Sequence, residues 1–168
     1  MRKLYIRQKV FKITDHYDIL GESQEVVYRV DQDFTFIGHR VHVTRPNGAH
    51  LFTINRKVLT FLPLFIIEFE NGNTIELKSR LSIFRKKIDI YPADLGLHVE
   101  GSLMQHNFSL FRGDQIVGEI KKTWISWGDV YELTVHDESI QDIIVAVVIA
   151  IDHLLDLDSQ NASNSSRN

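Results

Sequence analysis

Hydrophobic and polar residues alternate along most of this chain, in short runs separated by turn chemistry. Val26, Tyr28 and Val30 alternate with Val27, Arg29 and Asp31, and Val41 and Val43 alternate with Arg40, His42 and Thr44. Ile75 and Leu77 alternate with Glu76, Lys78 and Arg80, while Ile116 and Ile120 flank Gly118 on one face, opposite Val117, Glu119 and Lys121. A period of two sends successive side chains to opposite faces of a strand, so each run predicts one buried and one solvated face. Pro46-Asn47-Gly48 and Glu70-Asn71-Gly72-Asn73 contain Asn-Gly, which readily takes the positive φ of tight hairpin turns. Arg112-Gly113-Asp114-Gln115 and Trp127-Gly128-Asp129 mark two further reversals. Residues 3 to 136 thus divide into roughly a dozen strands, too evenly spaced for helices to lie between them. A large antiparallel barrel or sandwich follows.

Residues 139–157 break the alternation. Ser139 followed by Asp142 resembles a capping box, with Asp in place of the usual Glu or Gln. Nine consecutive apolar residues follow, Ile143 to Ile151. A helix turns 100° per residue, so such a run covers every face and predicts a helix buried all round. The β-branched content also fits a buried strand, but length, the cap signal and the following Asp152-His-Leu-Leu-Asp-Leu157 favour a helix. A membrane span needs about 20 apolar residues, and here Asp142 and Asp152 bracket the run. Burying these side chains contributes on the order of 10–20 kcal/mol before conformational entropy is subtracted. The helix is therefore expected at the centre of the fold, with Ile144, Val147, Val148 and Ile151 as structural residues.

Composition narrows the functional classes. The 168 residues carry a net charge of -3, which gives no electrostatic reason to expect a nucleic-acid partner. Cysteine is absent, which excludes disulfides, thiolate nucleophiles and Cys-ligated zinc. The N-terminal residues are basic, without the apolar run of a signal peptide, so the expected location is the cytoplasm. Residues 1–158 read as one domain. Residues 159–168 are small and polar and are expected to form a disordered tail.

The stretch Gly118-Glu-Ile-Lys-Lys-Thr-Trp-Ile-Ser-Trp-Gly-Asp-Val-Tyr-Glu-Leu133, followed by the apolar helix ending Ala150-Ile-Asp152, resembles the LURP-one-related family of the tubby C-terminal-like group. Leu4-Tyr-Ile-Arg-Gln-Lys9 and Leu81-Ser-Ile-Phe-Arg-Lys86 are also similar to that family. The resemblance covers the chain except its tail. It implies a mainly β fold, a closed barrel of about twelve antiparallel strands around a central hydrophobic C-terminal helix, with kinship in fold to phospholipid scramblases. Tubby domains bind phosphoinositides through basic residues, but that pocket has no residue-by-residue match here. Shared fold is not shared activity.

Candidate sites follow from side-chain chemistry. Arg2, Lys3, Arg7, Lys9 and Lys12 form one basic cluster; Lys78, Arg80, Arg85, Lys86 and Lys87 form a second, and Lys121 and Lys122 a third pair. Brought together, Arg85, Lys86, Lys87, Lys121 and Lys122 would attract a small anionic ligand or an anionic membrane surface. Neighbours on a strand point to opposite faces, however, so one of each lysine pair faces inward or lies at a bulge. Solvated strand faces are the favoured expectation. Trp124 and Trp127, around Gly128 and Asp129, suit either an exposed aromatic anchor or packing that fixes a turn, and packing is expected. His39 and His42 lie three apart on a strand and face opposite ways, and the other six histidines show no ligand spacing. No metal or cofactor is therefore expected. Catalytic motifs are absent: there is no Gly-x-Ser-x-Gly elbow, phosphate-binding glycine loop or His-Glu-x-x-His. Asp15 with Asp18, Asp31 with Asp33, and Glu68 with Glu70 sit near strand ends, where carboxylates are usually solvated. The expectation is a non-enzymatic interaction or binding module for an unidentified protein or ligand, with anionic head-group binding as the alternative.

Overall fold

The computed structural model describes residues 1–7, 16–35, 38–57, 62, 64–79, 86–102, 107–125 and 128–165, with backbone alone at 34, 35, 38, 86, 124, 125, 128, 129 and 154–165. The strands are β1 (Arg2–Arg7), β2 (His16–Leu20), β3 (Val26–Thr35), β4 (Gly38–Thr44), β5 (His50–Lys57) and β6 (Leu64–Phe69). They continue as β7 (Thr74–Ser79), β8 (Lys86–Tyr91), β9 (Leu97–Ser102), β10 (Asn107–Arg112), β11 (Gln115–Ile125) and β12 (Gly128–Val135). Short 3-10 turns occupy Ala93–Leu95 and Glu138–Ile140, and one helix, α1, spans Gln141–Ser165.

Each strand pairs antiparallel with its sequence neighbours, and β1 lies between β12 and β2, so the meander closes into a twelve-stranded barrel. The β1–β12 side of that closure is a continuous ladder from Arg2↔Val135 to Arg7↔Val130. The β1–β2 side is joined, among the described residues, at Tyr5↔Leu20. Closure leaves one long, apolar bore. Inward rows such as Leu4 and Ile6, Val41 and Val43, Phe52 and Ile54, and Ile75 and Leu77 are buried against one another in a single core cluster.

The helix fills that bore. Ile144 to Ile151 are all buried, eight residues in succession, as an all-round apolar helix requires. It enters at the mouth formed by the turns at 21–25, 45–49, 70–73 and 92–96, here the upper mouth, and runs toward the lower mouth, where β1, β3 and β5 end. Gly118 permits a close wall contact: a Cβ there would lie 3.0 Å from Ile144 Cγ2. The Asn-Gly turns form as expected, with Gly48 at φ 86° and Gly72 at φ 83°.

Several sequence expectations need correcting. Ile116 does not share a face with Ile120: it is 40% exposed while Val117 is buried. The cause is a register shift at Leu110/Phe111, which pairs Phe111 with Ile116 and Leu110 with Gly118 and leaves Val117 as an extra residue. A comparable shift at Ile19/Leu20 makes Val27 the extra residue and buries it with Tyr28. Ser139 is not the helix cap. It lies in the preceding 3-10 turn, whose cap is Asp137, and Asp137 Oδ1 accepts from the Ser139 amide at 3.0 Å and hydroxyl at 2.6 Å. The helix α1 itself runs past the expected Leu157, to Ser165. Once a helix is nucleated, each further residue adds one hydrogen bond, so polar residues with modest propensity extend it.

Candidate functional site

At the upper mouth a groove of about 400 Å³ opens between the β6–β7 turn, the loop after β8 and the start of α1. Phe69, Ile75, Leu95, Ile140 and Ile143 supply its apolar surface. Asn71, Asn73, Asp94, Ser139 and Asp142 supply the polar groups, and among the described residues no Lys or Arg lines it. Ile143 reaches the groove because it is the residue of the apolar run nearest the helix start, where barrel cover ends. Asp142 is held in place from behind: the Tyr28 hydroxyl donates to Oδ1 at 2.6 Å, and Arg45 lies 3.5 Å from Oδ2. The Gln141 amide donates to the same Tyr28 oxygen at 2.7 Å. Burial, then the bond to Asp142, pushes the Tyr28 phenol above its ordinary pKa, so it stays a donor. Nearby, Arg112 pairs with Asp137 at 2.7 Å and the N-terminal amine with Glu138 at 3.0 Å. Asp94 carries no ion pair among the described residues and is exposed.

The lower mouth is organised differently. His39 on β4 and His153 on α1 meet with their Nε2 atoms 2.7 Å apart, tying the helix to the wall. One ring must donate and the other accept, which two neutral imidazoles satisfy and two imidazoliums do not. Burial, then the neighbouring His153 and Arg56, lowers His39 to about 3. Burial and Arg56 lower His153 to about 4. Arg56 follows Phe52 and Ile54 on the inward row of β5, and its Nε is buried without a hydrogen-bond partner. Gln32, on the inward row of β3 after Val30, is 5% exposed, and its Nε2 is likewise buried without a partner.

The basic residues singled out in the sequence do not assemble into one described patch. Arg85 lies outside the described residues, and Lys86 is described in backbone only. Lys87 pairs with Glu100, directly opposite on β9. Lys121 is 3.5 Å from Glu119. Lys122 sits opposite the buried Tyr131, hence on the inward row, yet at the rim both it and Lys121 are exposed. One lysine of the pair therefore faces inward, as alternation requires, without being buried. The Trp124↔Asp129 and Ile125↔Gly128 backbone pairs close the β11–β12 hairpin, while the side chains of Trp124 and Asp129 and all of Trp127 lie outside the described residues.

The histidines divide as their positions require: His39 faces the bore, while His42 faces out beside Thr53 and His50. Among the described residues no group of three or more His, Asp or Glu is placed to hold a metal. Asp31 and Asp33 lie beside His16 and His42 respectively, and Glu68 accepts from Asn55. The His39–His153 contact, separated by 114 residues, was missed because neither spacing nor pattern encodes it. A signal did exist for Gln32 and Arg56. Each is the polar residue that continues an inward apolar row, and such a residue is either at a rim or buried at a cost.

The LURP-one-related family pattern matches residues 2–152, and the chain belongs to that family. It is similar to the uncharacterized protein YxjI of Bacillus subtilis (strain 168), at 26% identity over 151 residues, covering 90% of this chain and 91% of that protein. No solved structure matches the chain significantly. No helix among the described residues is long and apolar enough to cross a membrane.

Proposed function

We propose that this LURP-one-related chain is a non-enzymatic binding domain of the cytoplasm, and that its upper groove receives a partner-protein segment presenting an apolar side chain beside a Lys or Arg. The observation that carries this is the lining: an apolar floor with Asp94 and Asp142 and, among the described residues, no basic one. A concave, largely preformed apolar surface with a few placed polar groups is the usual form of a binding site. Asp142 is already engaged by Tyr28 and Arg45, which keeps its carboxylate fixed, while Asp94 remains for an incoming cation. The absence of cysteine suits a reducing compartment.

Phenethylamine tests the chemistry, since it joins an apolar body to a cation, with phenylacetate as the charge-reversed control. The amine is expected to shift the backbone amide signals of Asn73, Leu95 and Ile140, and Asp94→Asn to weaken its binding about two- to fivefold, the worth of one exposed ion pair. Equal response to amine and acid, or none to either, overturns the assignment. A second reading, peripheral contact with anionic phospholipid head groups, is supported by the adjacent, exposed Lys121 and Lys122. It expects salt-sensitive co-sedimentation with anionic vesicles that Lys121→Glu/Lys122→Glu removes.

A further inference from the structure

The lower mouth carries buried donors without acceptors. Gln32 is more than nine-tenths buried, and its Nε2 has no partner. Arg56 Nε is buried without an acceptor, and among the described residues no carboxylate forms an ion pair with its guanidinium. Gln32, His39 and Arg56 lie on the inward rows of three consecutive strands. Gln32 pairs with Val41, two residues from His39, while Val41 pairs with Ile54, two residues from Arg56. The fourth wall is His153, on the helix, in contact with His39. An unmade buried hydrogen bond costs about 1–3 kcal/mol. Two such unmatched groups on the rows flanking β4, both donors, call for the same complement: oxygen atoms bearing negative charge.

We propose that the lower mouth of the barrel binds an oxyanion, a carboxylate or phosphate group, held by Arg56 and Gln32 beside the His39–His153 contact. Arg56 supplies the charge, and a guanidinium is suited to such an acceptor because its N–H groups form a planar fork. Gln32 supplies a neutral donor from the opposite side of β4. Lys122, exposed on the inward row of β11 at the same end of the barrel, adds positive potential there. Asp33 and Asp152 supply the opposing charge at this mouth, through their influence on His39 and on Tyr17 respectively, and they favour an anion of low charge.

The test uses the full chain with inorganic phosphate, acetate, and vesicles of phosphatidylcholine with or without phosphatidate. Histidine side-chain NMR reads the site directly, and melting temperature reads the linkage. A free oxyanion at ten times its Kd is expected to shift the His39 and His153 ring signals and raise Tm by about 3–6 °C. Should only the phosphatidate vesicles do so, the oxyanion is membrane-borne and the assignment stands. In either case Arg56→Met is expected to abolish the response and, in anion-free buffer, to melt close to the wild-type temperature, because the half-buried guanidinium makes no described ion pair to lose. Gln32→Leu is expected to weaken the response severalfold while folding normally. No response to any of the three probes overturns the proposal. So does a response that survives Arg56→Met, or vesicle binding lost only in Lys121→Glu/Lys122→Glu.

Discussion

The two mouths of this barrel handle the same problem, polar groups at the ends of an apolar bore, in opposite ways. At the upper mouth donors and acceptors are matched: Tyr28 and Arg45 on Asp142, Arg112 and Ser139 on Asp137, the N-terminal amine on Glu138. At the lower mouth two donors are buried without acceptors, and two histidines are held neutral beside a guanidinium. The first arrangement fixes where the helix begins. The second leaves two buried donors unmatched, and a buried donor gains more from an acceptor than an exposed one does. The groove proposed to receive a partner therefore borders the well-matched mouth, whereas the inferred oxyanion site is built from the mismatched one.

Both mouths depend on the helix between them, so the largest effect comes from breaking it. Val147→Asp places an unpaired carboxylate where every direction is apolar and is expected to cost more than about 4 kcal/mol, preventing folding. A soluble variant with a cooperative melt would remove the central-helix account of both ends. Next is pH, which acts on the lower mouth. The folded protein keeps His39 and His153 neutral to about 3 and about 4, while the unfolded chain takes up protons near 6.5. The unfolded state then binds more protons, so stability falls as pH drops below about 6.5, by up to about 1.4 kcal/mol per pH unit for each histidine, and this dependence ends near those lowered values. Urea unfolding from pH 7 to 4.5 checks this, with a shallower slope expected in His153→Leu.

Paired conservative substitutions then set the mouths against each other. Tyr28→Phe removes a donor to a carboxylate and is expected to cost about 1.5–3 kcal/mol. Gln32→Leu removes an unpartnered amide and is expected to be neutral or stabilising. Equal losses in chemical denaturation would erase the contrast. The smallest effect belongs to the outer surface: Lys87→Ala and Lys121→Ala are each expected to change stability by under about 1 kcal/mol, since exposed ion pairs contribute little.

How much of this was legible depended on whether the signal was local. Alternation located Val41, Val43, Ile75 and Leu77 on inward rows, and Asn47-Gly48 and Asn71-Gly72 at turns, because strand period and positive φ are properties of adjacent residues. Ile116 was misplaced because a bulge depends on the partner strand β10, which residues 115–120 do not encode by themselves. The groove was invisible for the same reason: Phe69, Leu95 and Ile143 come from three separate segments.

The chain by itself determined a mainly β protein with a buried helix at its end, since nine successive apolar residues cannot face water in any orientation. Its membership of the LURP-one-related family was likewise readable from residues 118–152. Tertiary structure alone decided which polar residues meet. Tyr28 reaches Asp142 and His39 reaches His153 across 114 residues each, because barrel closure around the helix brings distant rows to one mouth. Whether a buried donor finds an acceptor is a property of that closed geometry, and the difference between the two mouths exists only there.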